Sequence, residues 1–290
     1  MVNMNRLPLD DQVRVIAALC EGNSVRGTSR LTRVAKGTIL RLVERVGFAC
    51  AIYHDRTVRN VAARRVQADE LWCFVGAKEK NVPSEVRGLP GRGDHYTWTA
   101  IDSDSKLIIS WLLGQRNAEC ARVFMHDLRD RVNGRIQLST DGLRVYPDAV
   151  EIAFHGDVDF GQLIKQYQAV VHEHEVRYSP PAFVSAKRTR ISGMPDHKSI
   201  STSHVERQNL TVRMHQRRLT RLTNAFSKKA ENLEWALAIH FIYYNFCRVH
   251  QTIKTTPAMA AGIASHVWTV HDLLTMVEAV EESLGNLKTK

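Results

Sequence analysis

The chain is expected to fold as an α/β protein, a mixed sheet with flanking helices preceded by a small all-α unit. Three observations predict this. Residues 8–48 carry apolar side chains at helical spacing, the period shortens to that of strands from residue 68, and from residue 202 onward the pattern is again helical. With 290 residues and 44% apolar side chains, the chain can bury a proper core, which excludes disorder as its main state.

Pro8, Asp10 and Asp11 signal the start of a first helix whose Val13, Val15, Ile16, Ala18 and Leu19 share a face, and Glu21, Gly22 and Asn23 end it. Ser24 can cap a second short helix through Leu31. A third is expected from about Ala35 to Val46, with Ile39, Leu40, Leu42 and Val43 as its apolar set. A short helix, a tight turn and then a helix bearing Lys36, Thr38, Arg41 and Arg45 is the helix-turn-helix pattern. The competing reading is a plain helical bundle with solvated basic residues; the concentration of charge on the third helix speaks against it. Residues 49–67 read as a basic connecting segment, which makes 1–66 a unit.

The next segments read as strands: ADELWCFVGAK, YTWTAID, and KLIISWLLG after the turn at Ser103, Asp104 and Ser105. A helix is expected from about Ala118 to Val132, then the strand RIQLSTDG and the short helix LRVYPDAVEIAF. Residues 156–198 hold a candidate helix (FGQLIKQYQAVV), a candidate strand (EVRYS) and the loop-like SPPAFVSAKRTRISGMPDHK. Helices are expected from about Thr202 to Arg213, from about Ala230 to Val249, at Thr256 and Pro257, and over 269–285. This order is that of an RNase H-like fold, giving a second unit over 67–255 and a helical tail over 256–290.

Charge is uneven. The chain has a net charge of +10 and a pI near 9.6, which suit a polyanionic partner. Residues 1–67 hold 12 Lys and Arg against 5 Asp and Glu, and residues 187–229 hold 11 against 2, so the remainder is net −6. Two basic zones around an acidic middle fit two separate nucleic-acid contacts. The five cysteines stand singly, without zinc-finger or redox spacing, and read as reduced buried thiols. No stretch reaches the ~20 apolar residues of a membrane span and the start lacks a signal-peptide run, so a cytoplasmic protein is expected.

Cleavage of phosphodiesters by two divalent cations, roughly 3.5 to 4 Å apart, needs a few placed carboxylates and no His or Cys cage. Asp69 opens the first strand, with Glu70 turned to the opposite face. Asp141 ends the fourth strand, where Gly142 lets the chain turn. Glu206 lies on a helix with Arg213 two turns on along the same face. Each also has a bland reading: a solvated turn acid, a plain Asp-Gly turn, a surface ion pair. Asp102 is a rival acid whose turn context favours a solvated role, and His204 reads as a phosphate contact or cap. For Arg248 and His250, capping of a helix end competes with a DNA contact, while Trp72 and Trp98 read as core.

In DELWCFVG, in STDGLRVYPDAV and above all in the long block from ISTSHVERQNLTVRM to TPAMAAG, the chain resembles the transposases of IS-one-type insertion sequences, within the superfamily with an Asp, Asp, Glu triad. The resemblance covers residues 10–268. It implies a metal-dependent enzyme that cuts element ends and joins the freed 3′-hydroxyl to target DNA. Asp69, Asp141 and Glu206 would hold two Mg2+ ions, with Mn2+ as a substitute, and Arg213 would grip a phosphate. The partners implied are double-stranded DNA, at element ends and target, and further copies of the chain on it. Lys36, Thr38, Arg41, Arg45, Arg207, Arg217, Arg218 and Arg221 would be the DNA contacts. The triad gaps are 72 and 65 residues, which makes 156–198 read as an insertion before the catalytic helix. The chain departs from the family in lacking a Cys-rich zinc-binding start.

Overall fold

The structure, a computed structural model, describes residues 6–88, 91–168 and 182–287. Helix α1 (Leu9–Cys20) begins after Pro8, and α2 (Val25–Thr32) is capped by Ser24, whose hydroxyl accepts from the Gly27 N–H at 2.9 Å. Arg33, in a left-handed conformation, opens the three-residue turn to α3. That helix spans Lys36–Thr57, eleven residues beyond the expected end at Val46. The stretch from residue 49 is therefore helix for its first half, not a connecting segment. The reason is tertiary: Ala49 and Cys50 continue the buried stripe of Ile39, Leu42, Val43 and Val46, and the buried His54 ring donates from Nε2 to the carbonyl of Ile108 at 3.2 Å. Burial, with the charge of Arg131, holds His54 neutral, its pKa lowered to about 4.

The sheet is built on β1 (Arg65–Val75). β2 (Gly93–Asp102) pairs antiparallel with β1, and β3 (Ile108–Gly114) pairs antiparallel with β2. After α4 (Ala118–Arg131), β4 (Ile136–Asp141) joins the other side of β1 in parallel. Following α5 (Tyr146–Phe154), β5 (Val158–Gln168) runs parallel to β4, and β6 (Ala182–Ser192) returns antiparallel to β5. The resulting order, β3-β2-β1-β4-β5-β6, is the mixed sheet expected of the RNase H-like class.

Two expectations fail in β5 and β6. The candidate helix FGQLIKQYQAVV is a strand as far as Gln168, because its backbone pairs with β4 on one side and β6 on the other. The basic, Pro- and Ser-containing stretch expected as a loop supplies β6. Much of the stretch read as an insertion over 156–198 is thus built into the sheet, while the candidate strand EVRYS lies outside the described residues.

The strand pleat divides the core. On one face, Val66, Ala68, Trp98 and Ala100 pack with α4 and α5 in a cluster that continues without a break through Ile16, Ile39, Val43 and Val46 to Leu273 and Val277. The last two belong to α9 (Val270–Leu287), so the C-terminal tail folds back over the N-terminal helices. On the other face Leu71, Cys73 and Val75 meet Val205 and Val212 of α6 (Ser203–His215) and Leu233, Leu237 and Phe241 of α7 (Ala230–Ile242). The apolar run expected as helix to Val249 loosens at Ile242 into a π-helical turn, Tyr243–Cys247, where buried Asn245 both donates to and accepts from the backbone of Ile108. Thr256 caps the short α8 (Pro257–Ala260) as expected. Trp98 is core, whereas Trp72 is only partly buried, beside Phe74 and under Lys78.

Helices α3 and α7 touch backbone to side chain at Gly47. A Cβ added there would lie 2.5 Å from the Cβ of Trp235 and 2.7 Å from its carbonyl oxygen, closer than packed atoms approach. Gly47→Ala is expected to force the helices apart and destabilise the chain by about 1 to 3 kcal/mol. An unchanged melting temperature would show that the two helices separate freely and do not share one core.

Candidate active site

Residue Ala68 of β1 stands opposite Thr140 of β4, so Asp69 and Asp141 follow at one step beyond, side by side where β4 ends. Asp69 does not open its strand as expected; it is the fifth residue, because β1 begins at Arg65. Its odd-numbered position faces α6, whose first turn carries Glu206. Thr202 precedes that helix, and its hydroxyl donates to Glu206. The three acids line one open cleft of about 630 Å³, with Arg116, Arg144 and Lys165 as its basic groups.

The electrostatics are those of crowded like charges. Burial first, then the charges of Glu70 and Asp141 and, more weakly, Glu206, push the Asp69 carboxyl up to about 7. Asn209 on α6 donates to its Oδ2 at 2.7 Å and fixes its orientation. Glu206 is held by Lys165, which donates to both of its oxygens. Asp141 accepts from the Leu143 N–H at 2.9 Å and stays more than a third exposed.

Glu70 is the residue that sequence reading set aside. It does point to the opposite face, where the Tyr146 hydroxyl donates to Oε2 at 2.9 Å and the Arg116 Nε to Oε1 at 2.7 Å. Yet β4 stops at Asp141, so nothing separates the two faces there, and ligand oxygens of Asp69, Glu70 and Asp141 lie within 4.8 Å of one another. Burial and the Asp141 charge raise the Glu70 carboxyl, against the opposing pull of Arg116 and Tyr146. The residue pair Asp-Glu was a visible signal; strand parity hid it. Arg116, in the turn before α4, carried no signal at all.

The donor set fits a hard divalent cation. The ligand atoms are oxygens only, converging from two adjacent strands, and the Asp69 carboxyl among them is raised by burial and by its acidic neighbours, a crowding of negative charge that such an ion would neutralise.

Other expected site residues fall elsewhere. Arg213 lies on α6 as read, but its guanidinium donates to the carbonyls of Trp72 and Leu219 at 3.0 and 3.1 Å, tying α6 to β1, and it does not line the cleft. Burial, reinforced by Arg221, lowers it to about 10. Arg45 is likewise engaged: it donates to Glu281 of α9 and to Gln12, because the tail covers that flank of α3. Lys36 and Arg41 are exposed, as are Arg207 and Arg221, and Thr38 is partly so. Arg217 and Arg218 line a second cleft described below. Asp102 is buried, not solvated, because its carboxylate accepts from the N–H groups of Asp104 and Ser105 and closes the β2–β3 turn. Arg248 and His250 lie outside the carboxylate cleft.

Residues 90–175 match the family model of a DDE domain; the match contains Asp141 but not Asp69 or Glu206. No curated protein matches the chain. Among solved structures, the chain is similar to a Mos1 transposase paired-end complex with left transposon end, at 14% identity over 51% of this chain and 57% of that one, with a TM-score of 0.19. It thus spans somewhat over half the length of that protein. A pre-cleavage Mos1 transpososome is 10% identical over 96% of this chain and 79% of that one, with a TM-score of 0.28. No helix among the described residues is long and apolar enough to cross a membrane.

Proposed function

We propose that the chain is a DNA transposase that cleaves the ends of an insertion sequence and transfers the freed 3′-hydroxyl strand to target DNA, with Asp69, Asp141 and Glu206 as its catalytic carboxylates. The observation that carries this is that acids from β1, β4 and α6 line one cleft together with Arg116, Arg144 and Lys165, the closest group of ligand oxygens among the described residues being that of Asp69, Glu70 and Asp141. The DDE-domain match over β2 to β5 supports it.

Asp69, Asp141 and Glu206 would hold magnesium, with Glu70 close enough to share the load. Two such ions supply charge neutralisation at the attacking and the leaving oxygen. The protein's own part is positioning. Asn209 keeps Asp69 in one orientation, and Arg116 with Tyr146 fixes Glu70. Lys165 neutralises Glu206 in the free chain and can turn to a phosphate oxygen once Glu206 is otherwise engaged. Asp69, raised to about 7 by burial and its acidic neighbours, would hold such an ion as the carboxylate, its proton released to solvent. Cleavage and strand transfer then use one site, because only the identity of the attacking oxygen changes. An element has two ends, so a homo-oligomer on DNA follows from one such cleft per chain.

The test is a magnesium-dependent assay with labelled DNA that flanks this reading frame. Nicked ends followed by strand-transfer products are expected. Nicks without transfer would indicate a nuclease on the same fold, and binding without either product a DNA-binding regulator.

A further inference from the structure

Members of both basic zones of the sequence meet in the fold, lining one cleft of about 840 Å³: Arg26 and Lys36 from α2 and α3, and Arg217, Arg218 and Lys228 from the chain between α6 and α7. Among the described residues the lining contains no Asp or Glu. Glu231, in the first turn of α7, is not among the lining residues.

Arg218 gives this cleft its direction toward a ligand. Its guanidinium is part-buried, which lowers its pKa; it donates to the Ser227 hydroxyl at 2.7 Å, and no carboxylate pairs with it among the described residues. A guanidinium taken from water without a counter-ion is costly, and a planar fork matches phosphate oxygens. The helix ends add to the same field. The first turns of α2, α3 and α7 reach the cleft through Arg26, Lys36 and Asn232, and neither α3 nor α7 has a side-chain cap. A helix N-terminus carries partial positive charge, so these first turns add to the field of the basic side chains.

Its position relative to the carboxylates is set by α6. Glu206 stands in the first turn of that helix and Gln216, which lines the basic cleft, at its end; ten residues at 1.5 Å put them about 15 Å apart. At 3.4 Å per phosphate along a strand, that is about four nucleotides.

We propose that this cleft seats one run of the phosphate backbone of the DNA cut at the carboxylates, about four nucleotides from the scissile phosphate, so that the N-terminal helices and the α6–α7 segment grip the same duplex. The inference rests on the transposase reading but is tested by binding alone.

The experiment uses the full chain and a 10-base-pair duplex, with affinity followed against salt. For wild type, one duplex per chain is expected. Lys36→Ala and Arg217→Ala, one from each basic zone, should each weaken binding and lower the slope of log affinity against log salt by about one, while Lys36→Arg and Arg217→Lys retain it. Thermal melts of all four variants show that the fold is kept. Two duplexes per chain, with each alanine variant removing only one, would mean separate contacts and overturn the proposal. Unchanged affinity and slope in both alanine variants would overturn it as well. A chain that shows the expected slopes yet never cuts element ends with magnesium would sink the transposase reading and leave the basic cleft standing.

Discussion

Asp141→Asn is expected to reduce magnesium-dependent cleavage of element ends by about 10³-fold or more while leaving DNA affinity within a factor of about two. The amide is nearly isosteric and can still accept from the Leu143 N–H, so the turn after β4 should hold. What it loses is a negative charge that adjoins both Asp69 and Glu70. Affinity should be spared because the proposed DNA contacts lie in the basic cleft at the far end of α6, which shares no lining residue with the carboxylate cleft among the described residues. The measurement is single-turnover cleavage of end DNA, with binding measured on the same preparations. A variant that cuts at more than a tenth of the wild-type rate would remove Asp141 from the site.

Asp69→Asn should stabilise the metal-free protein, and by more at pH 8 than at pH 5. The folded-state pKa of Asp69 is about 7, above its ordinary value of 3.8. Between those values the native chain holds a proton that the unfolded chain has released, so stability falls as pH rises through this window. Above pH 7 the full penalty of a crowded, buried charge is present; at 1.36 kcal/mol per unit it is at most about 4 kcal/mol. Asparagine carries no charge, and its side-chain oxygen can keep accepting from Asn209. In EDTA, the gain in melting temperature at pH 8 should shrink by more than half at pH 5. With saturating magnesium the order should reverse, because only the wild-type chain binds the ion well. A variant less stable than wild type at pH 8 in EDTA would show that Asp69 is not under electrostatic strain.

Local signals carried much of the fold. Ser24 and Thr256 were legible as caps because capping is a contact between near neighbours, and Asp141 was legible because an Asp-Gly pair at a strand end marks a turn in the sequence itself. The boundaries that failed are those that distant partners set. Nothing near residue 50 distinguishes a basic linker from a helix until Ile108 accepts from His54. The stretch from Phe160 reads as a candidate helix until two neighbouring strands take up its backbone hydrogen bonds.

The same division runs through the site. The sequence determined, by itself, the α/β class, the places of Asp69, Asp141 and Glu206 in the order of elements, and the presence of two strongly basic stretches. Only the tertiary structure decided that Glu70 joins Asp69 and Asp141, that Arg45 and Arg213 are held by Glu281 and by two carbonyls, and that members of both basic stretches line one cleft. The physical reason is range: propensity, capping and strand parity act over a few residues, whereas charge and burial depend on what the folded chain brings within a few ångströms, at sequence separations of 236 residues for Arg45 and Glu281 and 141 for Arg213 and Trp72.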